Sequence, residues 1–171
     1  DRQQRIDTAA EAIEVNLDMI GATAIDDELQ DNVAHTIEQL RKAGIKFFML
    51  TGDKQETAIT IAQSCALLTN NMHKIILTVR ISGDRREEFA MLEKSIQREL
   101  LAIHDMREIN PTLHLQYALI VNGATLDILF GKFIKHKSKV YSLFMELCMQ
   151  CKSVIVARSS PSQKAKIVRL A

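Results

Sequence analysis

The chain has 171 residues, of which 47% are apolar and 25% are charged, and its formal net charge is +1. This length and balance indicate a single globular domain and exclude a disordered chain. The near-neutral charge and the lack of tryptophan give no reason to expect nucleic acid as a partner. No apolar run approaches the ~20 residues that a membrane-spanning helix needs. Because the chain begins without methionine and ends within a helical pattern, we expect it to be a piece of a longer protein.

Helical and strand-like apolar patterns alternate along the chain. The predicted helices span residues 2–14, 29–43, 55–68, 85–106, 124–129 and 140–149, and a last one begins at Pro161. The predicted strands span residues 17–22, 45–50, 74–79, 116–121 and 153–157. Such alternation is typical of the α/β class, and it predicts a doubly wound, mostly parallel sheet with right-handed crossovers.

The three cysteines are an odd number, which favours a reducing compartment. Cys148 and Cys151 have the C-x-x-C spacing but no second pair nearby, which is weak support for a zinc site. Free cysteine is usually a buried, inert side chain, so we expect Cys65, Cys148 and Cys151 to be structural thiols.

A Thr51-Gly52-Asp53 turn links the second predicted strand to the following helix. The carboxyl ends of parallel strands are where ligands bind, and the free amides of a helix start attract anions such as phosphate. The turn is therefore a candidate phosphate site. The alternative is structural: Asp53 caps the helix and Gly52 only turns the chain.

The last predicted strand also ends in a polar set, with Arg158 followed by Ser162, Gln163 and Lys164. If this strand leaves the sheet at the same edge, Arg158 and Lys164 face the turn at Thr51. Two cations, a hydroxyl and helix amides around one point suit phosphoryl transfer, which depends on neutralising charge around phosphorus. Spacing alone does not distinguish Lys164 from a solvent-exposed lysine.

Four segments resemble motifs of P-type ATPases. Residues 50–58, Leu-Thr-Gly-Asp-Lys-Gln-Glu-Thr-Ala, resemble the Thr-Gly-Asp loop of this family. Their sequence is similar to the form of the loop in the type IV branch, the phospholipid-transporting flippases. Residues 21–31 are similar to that family's Gly-Ala-Thr-Ala-Ile-Glu-Asp-Lys-Leu-Gln segment, with Glu28 in place of the lysine. Residues 156–165 resemble its Arg-x-x-Pro-x-Gln-Lys-Ala segment. Residues 118–123 resemble an apolar strand that ends in Asp-Gly, with Asn122 at the acidic position.

The resemblance implies a haloacid-dehalogenase-like, Rossmann-like phosphorylation domain that is incomplete. It covers residues 1–171, of which residues 1–22 would be the segment returning from the nucleotide-binding domain. The family's cofactors are ATP and magnesium.

The resemblance also implies roles for individual residues. Thr51, Gly52 and Asp53 would form the nucleotide and phosphate loop, and Arg158 would contact the nucleotide. Lys164 would contact the phosphorylated aspartate. The expected catalytic residues are therefore Lys164 and, from the phosphate loop, Thr51.

Two family motifs are missing from the sequence. The Asp-Lys-Thr-Gly-Thr segment carries the phosphorylated aspartate, and the Gly-Asp-Gly-x-Asn-Asp segment supplies the magnesium ligands. We therefore expect no metal ligands in this chain, and we expect the chain alone neither to hydrolyse ATP nor to become phosphorylated.

The resemblance further implies a multi-pass membrane parent that moves a phospholipid, with this domain on the cytoplasmic side. Its expected partners are the parent's own transmembrane and nucleotide-binding domains and an accessory membrane subunit.

Two other functions fit a doubly wound sheet. A free-standing phosphatase would need an Asp-x-Asp pattern after an early strand, and residues 23–27 read Thr-Ala-Ile-Asp-Asp, which argues against it. A non-enzymatic receiver-like or binding module would use the acidic pair Asp26 and Asp27 after the first strand. Adjacent acidic residues are common in proteins, whereas the sequence motif of residues 51–57 is not.

Overall fold

A computed structural model of the chain describes residues 2–24, 28–110, 112, 115–131 and 137–170, with residues 137 and 138 described by their backbone only. The elements in chain order are α1 (Arg2–Ile13), α2 (Val33–Lys42), β1 (Phe47–Leu50), α3 (Gln55–Ser64), β2 (Met72–Leu77), α4 (Arg85–Ile109), β3 (Gln116–Asn122), α5 (Gly123–Leu129), α6 (Lys137–Gln150), β4 (Ser153–Ala157) and α7 (Pro161–Leu170). None of the helices in the described ranges has the length and apolar character to cross a membrane.

The four strands form one parallel sheet in the order β1-β4-β3-β2. The register aligns Leu50 of β1 with Val156 of β4, and Val156 with Val121 of β3. The two central strands are buried along almost their whole length, which is typical of parallel strands covered by helices on both faces. The α/β class and the parallel sheet are confirmed.

Helices cover the sheet on both faces, and the residues of β3 alternate between the two layers. Leu119 and Val121 pack with residues of α4, α5, α6 and α7, whereas Ala118 and Ile120 pack with residues of α3. Partly buried Val33 and Ile37 of α2 join the α3 layer. The sheet is thus held between two apolar layers, and its carboxyl edge is left to carry polar loops.

The predicted strand over residues 17–22 is wrong. Residues 17–24 have no regular secondary structure, and Met19 and Ile20 are 93% and 100% exposed. A strand needs a neighbour for its backbone N–H and C=O groups, and no described strand pairs with this segment. The sheet therefore has four strands where five were predicted.

Backbone conformations explain where two of the helices start and stop. Helix α2 begins later than predicted because Asn32 takes a left-handed φ of 65°, and Gly44 ends the helical segment in the left-handed conformation, with φ 86°. Helix α3 ends earlier than predicted, since Ala66 takes φ 59°.

The three cysteines are free and buried, as predicted. Burial raises the pKa of Cys148, and it raises the pKa of Cys151 to about 12. Both thiols therefore stay protonated at neutral pH, whereas zinc takes thiolates. In the part of the chain that the structure describes, no cluster of three histidine, cysteine or acidic side chains could hold a metal ion.

Candidate phosphate site at the carboxyl edge of the sheet

The loops that follow β1 and β4 are joined by backbone hydrogen bonds. The Thr51 N–H donates to the Val156 carbonyl oxygen at 2.9 Å, which extends the β1–β4 pairing by one residue. Beyond it, the Ser159 N–H donates to the Thr51 carbonyl at 3.0 Å, and the Arg158 N–H donates to the Asp53 carbonyl at 2.8 Å. The Thr51 turn and the start of α7 therefore lie at the same edge of the sheet.

The Ser159 side chain adds a fourth contact between the two loops. It is 5% exposed, and its hydroxyl donates to the same Thr51 carbonyl at 2.8 Å. The neighbouring Arg158 takes φ 50°, a conformation that costs a residue with a Cβ about 1–2 kcal/mol. Strain of this kind persists where surrounding contacts hold it in place, and it is concentrated at functional sites.

The turn itself is closed by the side chains of Thr51 and Asp53. The Thr51 hydroxyl donates to the Asp53 carboxylate and accepts the Asp53 N–H at 3.1 Å. Asp53 does not cap α3: the N-cap is Lys54, and no side-chain bond caps this helix. The structural alternative for Asp53 is wrong in that respect, and among the residues that the structure describes no capping side chain accepts from the first-turn amides of α3.

The end of β3 completes the edge. The Asn122 side chain accepts the Thr125 N–H at 2.9 Å and so caps α5. Capping requires only an acceptor oxygen, so an amide serves as well as a carboxylate. At the next residue, a Cβ added to Gly123 would lie 2.1 Å from the Arg158 carbonyl oxygen. Glycine is thus required for the strained exit of β4 to approach the start of α5.

Gln163 fixes α7 against this arrangement. It is 5% exposed, and its side-chain oxygen accepts the Ser160 N–H at 2.8 Å. Its amide nitrogen donates to the Gly123 carbonyl at 2.8 Å and to the Asp127 carboxylate at 2.6 Å. The first turn of α7 is therefore held in a fixed position relative to the loop after β4 and to α5.

Two cations accompany this edge. Arg158 is exposed, and Lys164 is half-buried in the first turn of α7. The backbone N–H of Lys164 donates to the Ser160 carbonyl oxygen at 3.0 Å. Among the residues the structure describes, neither side chain has an ion-pair partner. A phosphoryl group fits this donor set, because ammonium, guanidinium and free helix amides are all phosphate-binding groups.

A magnesium ion fits the described edge less well. Magnesium takes a near-octahedral set of oxygen ligands, usually with one or two carboxylates. Asp53 is the acidic residue of the turn, and its carboxylate already accepts the Thr51 hydroxyl. The described residues of this edge therefore do not by themselves supply the ligand set that magnesium takes.

The sequence-predicted residues Thr51, Gly52, Asp53, Arg158 and Lys164 share one edge of the sheet. The roles of Ser159, Gly123 and Gln163 in holding that edge were not predicted. A glycine directly after an apolar strand was the available signal for Gly123. The acidic pair Asp26 and Asp27, on which the receiver-like alternative depends, lies outside the described residues.

Comparison with known proteins gives relatives over nearly the whole chain. The chain is 36% identical over 178 aligned residues to mouse phospholipid-transporting ATPase 11C. It is 37% identical over 171 residues to the probable phospholipid-transporting ATPase 5 of Arabidopsis thaliana, and 37% identical over 169 residues to phospholipid-transporting ATPase DRS2 of Saccharomyces cerevisiae. Each alignment covers 99% of this chain.

The chain belongs to the phospholipid-transporting P-type ATPase family. It spans 16%, 13% and 11% of the lengths of these three relatives. No protein-family model matches it. The family resemblance drawn from residues 50–58 and 156–165 is confirmed, and these are the two segments that meet at the carboxyl edge of the sheet.

We predict that Gly123→Ala destabilises the fold through the contact with Arg158. Alanine in a helix normally stabilises relative to glycine, but here the new methyl group would overlap a backbone oxygen. The free energy of unfolding in urea should fall by about 1–3 kcal/mol. Gly52→Ala is the matched control, since a Cβ there meets no atom within 4 Å, and its effect should stay within about 0.5 kcal/mol. Equal effects of the two changes would contradict the close approach.

Proposed function

We propose that this chain is the phosphate- and nucleotide-binding portion of the phosphorylation domain of an ATP-driven phospholipid translocase. The observation that carries the proposal is the bonding of the Thr51 turn to the Arg158–Ser159 exit. It brings the two family-like segments into one cationic, amide-rich edge. This edge stands where ligands bind in open parallel sheets.

In this proposal each residue has a defined role. Lys164 is a point charge for the oxygens of the phosphoryl group, and Arg158 contacts the nucleotide. The first-turn amides of α3 complete the anion site, while Thr51 and Asp53 hold the turn in shape. Phosphoryl transfer needs such positioned positive charge because negative charge is spread over the phosphoryl oxygens in the transition state.

The reacting aspartate would lie outside this chain. Strand β1 hydrogen-bonds to β4 on one side, and no described strand pairs with its other side. Because β1 leads directly into the Thr51 turn, a strand of the longer protein added at this edge would end beside the anion site. ATP would be the phosphoryl donor, and magnesium would be bound by residues elsewhere in the longer protein.

We further propose that the longer protein is a multi-pass membrane protein with this domain on the cytoplasmic side. Its substrate would be a phospholipid, and its partners would include an accessory membrane subunit. The names of the relatives support the phospholipid. A phosphorylated and an unphosphorylated aspartate would favour different conformations of the membrane part, which couples ATP to transport.

The first test uses the chain by itself. Incubated with magnesium and ATP labelled at the γ-phosphate, the purified chain should incorporate no label and release no phosphate, because it lacks the nucleophilic aspartate. A longer variant that includes the Asp-Lys-Thr-Gly-Thr and Gly-Asp-Gly-x-Asn-Asp segments should incorporate label. Labelling of the 171-residue chain would show that the nucleophile lies within it, against the proposal.

The second test uses the longer protein and concerns Lys164. Lys164→Met should lower aspartate phosphorylation by ATP about 100-fold, the size of effect seen when one transition-state donor is removed. Lys166→Met is the matched control. Lys166 lies on the same helix, 5.2 Å from the centre of the Phe130 ring, away from the carboxyl-edge loops, and its variant should label at the wild-type rate. Equal phosphorylation rates for the two variants would show that Lys164 does not act at the site.

A further inference from the structure

The opposite side of the sheet also has a free edge. Strand β2 pairs with β3, and no other described strand pairs with it. A free edge offers unpaired N–H and C=O groups to an added strand. Helix α4 covers one face of β2, where Ile75 and Leu77 are buried, while Ile76 on the other face is 52% exposed.

An apolar cavity of about 200 Å³ lies between the start of β2 and the second half of α4. Its lining includes Ile75, Ala102, Met106 and Tyr117, together with His73 and with Glu99, whose carboxylate is paired with Arg98. An apolar cavity of about 150 Å³ is large enough to take up benzene. The cavity beside β2 therefore has room for one aromatic side chain.

Tyr117 gives this cavity a polar group without a partner. The residue is 4% exposed, and its hydroxyl is buried with no hydrogen-bond partner in the part of the chain that the structure describes. The ring of His73 packs edge-on against it, with 5.8 Å between ring centres. A buried hydroxyl is normally hydrogen-bonded, so this one indicates a ligand atom that supplies the missing bond.

A second hollow, of about 320 Å³, lies just beyond the end of β2. Its lining includes the exposed cations Arg80 and Lys94. In the described part of the chain neither has an acidic partner, whereas Arg98 beside them is bonded to Glu99 at 2.9 Å. This end of β2 is therefore suited to acidic groups.

The two hollows follow one another along the α4 side of this edge. Ile75 lines the first, and Arg80, three residues beyond the end of β2, lines the second. The side chains of an extended peptide alternate between its two faces, so side chains four or six positions apart point to the same face. One peptide lying along β2 and the segment after it would thus place one side chain in the cavity and another, four or six positions away, beside Arg80 and Lys94.

We propose that the groove between β2 and α4 binds an extended acidic peptide segment, which adds a strand to the sheet. An aromatic side chain of the peptide occupies the cavity, and a polar atom of the peptide bonds the Tyr117 hydroxyl. A glutamate or aspartate four or six residues away, on the same face of the peptide, pairs with Arg80 and Lys94. Strand addition supplies affinity through backbone bonds, and the two hollows supply specificity.

The experiment selects binders from a random library of linear ten-residue peptides with the whole 171-residue chain as bait. Enriched peptides should share one aromatic residue and an acidic residue four or six positions away. An enriched peptide, labelled and measured by fluorescence anisotropy, should bind at least about tenfold more weakly to Ala102→Phe, which fills the mouth of the cavity.

The matched control is Leu101→Phe. Leu101 is 63% exposed on the same helix and does not line the cavity, so this variant should bind as the wild type does. Tyr117→Phe should weaken binding several-fold, and Arg80→Glu with Lys94→Glu should abolish it. Circular dichroism of the variants checks that each is folded.

Three results would overturn the proposal. One is enrichment of peptides without the aromatic and acidic pattern, or no enrichment. Another is equal binding to Ala102→Phe and Leu101→Phe. The third is a dimer of the chain, seen by light scattering, that Ala102→Phe abolishes, because a second copy would then be the occupant.

Discussion

Two backbone hydrogen bonds determine whether this chain has a site: Ser159 to Thr51 and Arg158 to Asp53. They join loops that are more than 100 residues apart in the chain. Each loop alone has an ordinary structural explanation, as a strand-to-helix turn or as the start of a helix. Together they bring the start of α3, Arg158 and the first turn of α7, which carries Lys164, to one edge of a parallel sheet, and helix amides beside cationic residues suit an anionic ligand.

The supporting contacts show how this convergence is maintained. Arg158 holds a left-handed conformation that is unfavourable for it, and Gly123 leaves the space that this conformation occupies. Gln163 bonds three different partners around the same point. The edge is therefore preorganised before any ligand binds. Preorganised charge is effective in phosphoryl transfer because it needs no rearrangement during the reaction.

Much of this was predictable from the sequence, for reasons that can be named. Apolar runs and helical periodicity located β3, β4 and α7 to within about a residue, because long, strongly patterned segments carry their own structural signal. Residues 17–22 carried the same signal and form no strand, since a strand also depends on a neighbour that the pattern cannot reveal. The polar residues of the site were identifiable by type and position. The supporting roles of Ser159, Gly123 and Gln163 were not, because those roles depend on contacts between distant segments.

The two free edges of the sheet have different surroundings. The β1 edge adjoins the phosphate site, and the longer protein would complete it there. Strands β4 and β3 separate it from the β2 edge, which lies beside a mainly apolar cavity where the buried Tyr117 hydroxyl has no hydrogen-bond partner among the described residues. A segment bound at β2 would contact the domain without occupying the phosphate site, so the two surfaces can be tested independently.

The central claim is that the β1 and β4 loops form one anion site. It is tested most directly by titrating the ¹⁵N-labelled chain with inorganic phosphate and following backbone amide signals by NMR. If the two loops form one site, the amide signals of Gly52, Gln55 and Ser159 shift together with a single dissociation constant. Lys164→Ala then weakens binding and raises that constant. Shifts confined to one loop, or two unrelated constants, would contradict a shared site.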